Sequence, residues 1–199
     1  VMVWGVIMLV ISLAWGAIAF IGPIRKMEQN NSLAKSSLNY YSKKTFLVET
    51  CTVAVLMAVI SVILIMYALV PKAWMGVVAY ILIALGFISA LGTAGYFGYT
   101  FYHMKKANNS SMSNSLALWE EKFGCCGWDV FRPQPLCASD IGSLNHQTCQ
   151  SKTKPIVNAS LQNTIAGGLF LVLLFVTVIL SIILQSKTRD TTASYSIVQ

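Results

Sequence analysis

Charge is scarce in this chain: Asp, Glu, Lys and Arg make up only 11% of its 199 residues, against about 25% in ordinary soluble domains. So little charge excludes a protein whose whole surface faces water. The long apolar stretches hold no Asp, Lys, Arg or His and one glutamate, Glu49, near a boundary. That argues against transporters and proton relays, which place ionisable groups at depth in the membrane. His103 and His146 are the only histidines, and neither has a carboxylate or cysteine at metal-ligand spacing. With no nucleophile, base or metal set in view, the chain reads as a non-enzyme without cofactor chemistry. Its formal net charge of +7 is spread over the connections. That gives no support to nucleic-acid binding and leaves attraction to anionic head groups or acidic partners.

What is abundant is apolar sequence, 56% of the residues, gathered in four blocks: Met2 to Ile21, Leu47 to Val70, Met75 to Tyr102 and Thr164 to Leu184. A helix needs about 20 apolar residues to cross the hydrocarbon layer, whereas a buried helix of a soluble core runs to about 10–14. Helices satisfy their own backbone in lipid, so the expectation is an all-α membrane protein with four spanning helices. Val1 already lies inside the first block. That block lacks a basic start and is too long for the apolar core of a signal peptide, so it is expected to be a true first span. The divisions are 1–22 for span one, 23–46 for a small loop, 47–70 for span two, 71–74 for a tight turn and 75–102 for span three. A large loop follows over 103–163, then span four over 164–184 and a tail over 185–199.

Tyr67, Trp74, Tyr99, Phe101 and Tyr102 sit at the expected span ends, where amphipathic rings favour the headgroup level. The third span carries small residues every fourth position: Gly86, Ala90, Ala94 and Gly98. A face without side-chain bulk lets another helix approach closely, either within the bundle or in a homo-oligomer. Ser12 and Gly16, then Ala54 and Ala58, repeat the pattern more weakly.

Four of the five cysteines, Cys125, Cys126, Cys137 and Cys149, lie in the large loop. Such a cluster outside the cytosol implies a disulfide framework with three pairings. Bridging the adjacent Cys125 and Cys126 falls outside ordinary disulfide geometry. That leaves Cys125–Cys149 with Cys126–Cys137, or the crossed alternative. Gly127 can take φ > 0 and turn the chain directly after the pair. Zinc fits the spacing badly, since its cysteines sit about two to four residues apart within each pair. Cys51, in the second span, reads as a buried apolar residue.

Four spans, a small first loop, a tight turn and a large loop containing Cys125-Cys126-Gly127 resemble the tetraspanin family. A short helix-like stretch, Leu116 to Phe123, precedes the motif, and Pro135-Leu136-Cys137 is partly similar to the family's later Pro-x-x-Cys element. The resemblance implies the nested pairing, Cys125–Cys149 and Cys126–Cys137. It also implies a cavity among the helices that accommodates a sterol or other lipid. Departures are a short large loop, few polar residues in the first three spans and no cytosolic cysteine for palmitoylation.

Two signals place both loops outside the cytosol. Glycosylation sequons occur at Asn30, Asn108, Asn109 and Asn158, all in the two large connections. Disulfides also persist only away from the reducing cytosol. The charge pattern opposes this. Eleven of the fourteen basic residues lie in those connections, leaving Lys72, Lys187 and Arg189 on the other side, contrary to the positive-inside tendency. The cysteines decide the orientation: loops extracellular or lumenal, turn and tail cytosolic, in the plasma membrane or endosomal system. On the tail, Tyr195-Ser196-Ile197-Val198 matches a Tyr-x-x-apolar sorting signal.

The expected function is a membrane organiser. The stapled loop and bundle faces would bind other integral membrane proteins laterally, scaffolding or trafficking them among membrane lipids. An accessory or obligate subunit of a channel or receptor complex is the alternative, with Ser61, Ser89 and Thr177 among its few polar candidates. A junction-type adhesion protein of the claudin kind would carry its cysteine pair in the first loop, which here has none.

Overall fold

The computed structural model describes residues 2–22, 24, 43–70, 72–132, 136–140, 144 and 146–196, with side chains 19, 20, 73 and 184–196 left aside. Five helices account for most of it: α1 (Met2–Ile21), α2 (Lys43–Leu69), α3 (Ala73–Lys106), α4 (Leu116–Phe123) and α5 (Cys149–Ser196). There is no strand among the described residues. Stretches of α2 (Lys43–Leu69), α3 (Trp74–Lys106) and α5 (Cys149–Ile183) are long and apolar enough to cross a membrane, while Met2–Ile18 of α1 is a shorter apolar stretch. Three such helices make this an integral membrane protein.

Each long helix runs antiparallel to the next. Gly5 and Gly16 of α1 lie opposite Ile65 and Ala54 of α2. Phe46 of α2 packs on Phe97 of α3, rings 4.8 Å apart, while Tyr67 at the other end of α2 faces Gly76. The α3–α5 pair is the most extensive, α1–α2 the next, and α1 meets α5 only slightly. Trp4 Nε1 donates to Thr177 Oγ1 at 2.9 Å, Met8 Sδ lies 3.2 Å from the same hydroxyl, and Trp15 meets Phe170 edge-on at 6.5 Å. Leu13, Val55, Ile88, Leu91, Val172 and Phe175 point away from the bundle, the distribution expected of helices solvated by lipid tails.

The small-residue stripe is used inside the molecule. A Cβ added to Gly167 would lie 2.9 Å from Ala94 Cβ and 3.0 Å from the Ala90 carbonyl oxygen. Backbones of α3 and α5 therefore nearly touch there. Gly98 faces Thr164, and Gly86 faces both Ile60 and Leu174. Gly86, Ala90, Ala94 and Gly98 thus pack against α5 and, at Gly86, also against α2.

Three helices run past their expected ends: α2 begins at Lys43, α3 covers Ala73–Lys106, and α5 continues to Ser196, where a tail was expected from residue 185. At about 1.5 Å per residue, the 34 residues of α3 reach about 50 Å, well beyond the roughly 30 Å of hydrocarbon. At the same end of the bundle α5 begins at Cys149, fifteen residues before the expected span. The extensions have a core to bury. Met104 of α3 and Ala107 just after it, with Ile156 and Ala159 of α5, share one cluster with Met112, Leu116, Trp119, Cys125, Trp128 and Cys149. A second cluster, around Met57, Ile60, Ala90, Ala166, Phe170 and Leu174, lies within the bundle. The loop domain is therefore seated directly on the helix ends.

A buried polar contact links α2 to α5. Thr50 Oγ1 lies 2.7 Å from the Phe46 carbonyl oxygen and 2.9 Å from the Asn163 side-chain oxygen, all buried. A hydroxyl has one proton to give. With the Asn163 amide turned over, Thr50 donates to Phe46 and accepts from Asn163 Nδ2, which otherwise lacks a partner. Cys51 beside it is half-buried and free, more open than the sequence led us to expect.

Candidate functional site

The Cys125-Cys126-Gly127-Trp128 segment is the point at which α4, α5 and the outer loop are joined. Gly124 ends α4 in the left-handed conformation, φ 59° and ψ 45°, with its N–H on the Glu120 carbonyl. This is the glycine C-cap that closes many helices. Gly127 follows at φ 74°, where a Cβ would collide with the Val130 carbonyl. Both turns require glycine.

The cysteines pair as Cys125–Cys149, with Cα atoms 4.9 Å apart, and Cys126–Cys137, at 5.4 Å. The first joins the end of α4 to the first residue of α5. The second ties Cys137 back to the turn. Backbone bonds reinforce both. Cys149 N donates to the Gly127 carbonyl at 2.8 Å, and Gln150 N to the Trp128 carbonyl at 2.9 Å. Ser151 N reaches Thr148 Oγ1 at 3.4 Å, and Lys152 N the Thr148 carbonyl at 3.2 Å. The four N–H groups that open a helix have no partner within it; here the turn and Thr148 supply all four.

Glu120 lies beneath the turn, with no exposed surface. Its Oε1 accepts from Gly127 N at 2.7 Å and from Arg132 Nη2 at 2.5 Å, while Oε2 accepts from Ala138 N at 2.9 Å. Burial pushes its carboxyl upward, but the Ala138 N–H, the Arg132 guanidinium and the Gly127 N–H together outweigh it. They hold the group below the usual carboxylate range. The carboxylate is thus ionised and saturated with donors, a structural hub rather than a proton donor. Its position brings it near Cys126 and Cys137, the three ligand-type atoms lying within 4.8 Å of one another. The two sulfurs are bonded together and the carboxylate oxygens already hold three N–H groups, so the trio braces the turn.

Aromatic packing completes the domain. Trp128, fully buried, meets Trp119 edge-on at 5.3 Å, and Trp119 stacks on Phe123 at the same distance. Asn109 clamps the far side of the turn. Its Oδ1 accepts from Trp128 N, its Nδ2 donates to the Val130 carbonyl at 3.0 Å, and its backbone N donates to Asp129 Oδ1 at 2.9 Å.

The candidate glycosylation sites are thus unlike one another. Asn108 is exposed, Asn109 is half-buried with its side-chain amide engaged, and Asn158 is exposed on the α5 helix. Asn30 lies outside the described residues. Tyr195 falls on the α5 backbone with its side chain left aside, and Val198 lies outside the described residues. His103 and His146 are exposed, the first beside Tyr99 and the second beside Phe131.

The structural roles of Glu120, Asn109, Asn163 and Gly167 were not read from the sequence, in which Asn109 stood only as a glycosylation candidate. Glu120 carried one usable signal: a carboxylate on an otherwise apolar face, seven residues before a glycine whose N–H needs an acceptor. The other three depend on tertiary neighbours. No family model, no curated protein and no solved structure matches the chain.

Proposed function

We propose that this chain is a non-enzymatic membrane organiser of the tetraspanin type. In this reading it crosses the membrane four times, keeps its stapled domain on the extracellular or lumenal side, and binds other integral membrane proteins laterally. The observation that carries it is the contrast within the outer domain. A turn fixed by two disulfides and a half-buried ion pair lies among bare apolar side chains: Val130 is 63% exposed, Leu136 65% and Leu144 79%. Rigid apolar side chains bind at low entropic cost because little is left to order. The fourth span is supported by the 20 residues of α1, aligned antiparallel along α2. The orientation is supported by the chemistry of the cysteines, which stay oxidised outside the cytosol.

Purification from native membrane in mild detergent tests the reading. At least one integral membrane protein should accompany the chain, and Leu136→Asp with Leu144→Asp should release it. Recovery of the chain alone, or a partner held equally by the double variant, would contradict it. The Tyr195–Val198 signal, glycosylation and self-association belong to the same reading as secondary expectations.

A further inference from the structure

We propose that the disulfide end of the bundle binds the phosphate groups of anionic phospholipids, through a collar formed by Lys44, Lys105 and Lys106. The inference concerns lipid and does not depend on partner binding. All three lysines are exposed, and among the described residues none pairs with a carboxylate. Helix geometry lets their ammonium groups reach one height. Phe46 and Phe97 face each other across α2 and α3. Lys44 stands two residues outward of Phe46, and Lys105 and Lys106 stand eight and nine residues outward of Phe97. At about 1.5 Å per residue, the two sets start about 10 Å apart along the axis. Side chains lean toward the N-terminus of their helix, so Lys44 on α2 leans outward while the lysines on antiparallel α3 lean back toward the membrane.

The contacts show that lean. Lys105 Nζ lies 5.4 Å from the Phe101 ring centroid, and Lys106 Nζ lies 4.5 Å from that of Tyr102 while donating to its hydroxyl at 2.8 Å. Lysine stems laid over aromatic rings next to an apolar helix face are the snorkelling arrangement of the membrane interface. A headgroup layer is about 6 Å thick on each side of the hydrocarbon, and the leaning brings the three charges into that one layer. The nearest acidic side chain along α2 is Glu49, one charge against several. A lipid phosphate at that height supplies the missing counter-charge. The three lysines are exposed on two different helices, so the ligand class is the ring of lipids around the bundle.

The test uses the full chain, stripped gently from vesicles of equimolar phosphatidylglycerol and phosphatidylcholine, with retained lipids counted by mass spectrometry. A lysine near an anionic surface is worth about a fivefold preference. The wild type should therefore retain phosphatidylglycerol over phosphatidylcholine by a factor on the order of 10 or more. The K44Q/K105Q/K106Q variant should lose most of that excess, and K44R/K105R/K106R should keep it. The wild-type excess should also shrink as salt is raised, a readout that needs no variant. Retention in proportion to composition, or an unchanged excess in the glutamine variant, would overturn the proposal. So would loss of the lipid to millimolar inorganic phosphate, which would identify a free anion as the ligand.

Discussion

The outer domain and the bundle keep their shapes by different means. In the outer domain, about forty residues depend on directed bonds: two disulfides, a buried carboxylate with three donors, and two glycines in left-handed turns. In the bundle, helices meet through small residues such as Gly167 against Ala90 and Ala94, and directed bonds between helices are few. The difference follows from the two solvents. Water lets a small unit bury too little apolar surface for comfort, so staples are needed. Lipid offers no hydrophobic drive between helices, so close backbone approach and packing do the work.

Removing the Cys125–Cys149 bridge should separate the two regions most sharply. Opening a loop of 24 residues costs about 3 kcal/mol in the chain-entropy account. The C125S/C149S variant should lose the buried environment of Trp128, read by tryptophan fluorescence, while far-ultraviolet dichroism still reports the long helices. Loss of all helical signal would mean that the bundle depends on the staple and would break the comparison.

Glu120→Gln should come next, at about 3 kcal/mol, because the buried partner of Arg132 loses its charge and an acceptor oxygen becomes a donor. It should also change the response to pH. The folded carboxyl lies below its ordinary value of 4.5, so the unfolded chain takes up its proton first as pH falls. The stabilisation is complete above that ordinary value and is lost as pH drops through the lower folded one. Thermal melts between neutral and strongly acidic pH should show this loss in the wild type and its absence in E120Q.

Gly167→Val tests the bundle. Its side chain has no room beside Ala94, and overpacking of this kind costs about 2 kcal/mol. Gly95→Ala is the companion, since a Cβ there meets nothing within 4 Å. Melting in detergent should fall for the first and hold for the second; equal effects would remove close α3–α5 approach as the cause. The smallest expected effect is Thr177→Val, which deletes the Trp4 bond closing α1 onto α5, at about 0.6 kcal/mol.

These contrasts also explain what could be read in advance. The apolar blocks gave the long helices because crossing length and the backbone's need for partners leave few options in lipid. The α4 stretch, Leu116 to Phe123, was expected as a short helix before the Cys-Cys-Gly motif, and Gly124 caps it. The extra turns of α3 and α5 were not, because Met104 and Ile156 are buried only once Trp119 and Trp128 are folded against them. Within the site, four cysteines and Gly127 announce themselves by type. Glu120 does not, since a glutamate on an eight-residue helix looks like a solvated face until Arg132 and the Gly127 N–H arrive from elsewhere in the chain. Gly167 was overlooked for a related reason: in a long apolar run, a small residue gains meaning only from the helix opposite.

A non-reducing peptide map of the protein taken from its native membrane, with free thiols blocked beforehand, addresses the account at its base. It should recover Cys125 linked to Cys149, Cys126 linked to Cys137, and Cys51 carrying the blocking group. Blocked thiols at all five positions, or the crossed linkages, would contradict the turn on which the outer domain and its proposed role are built.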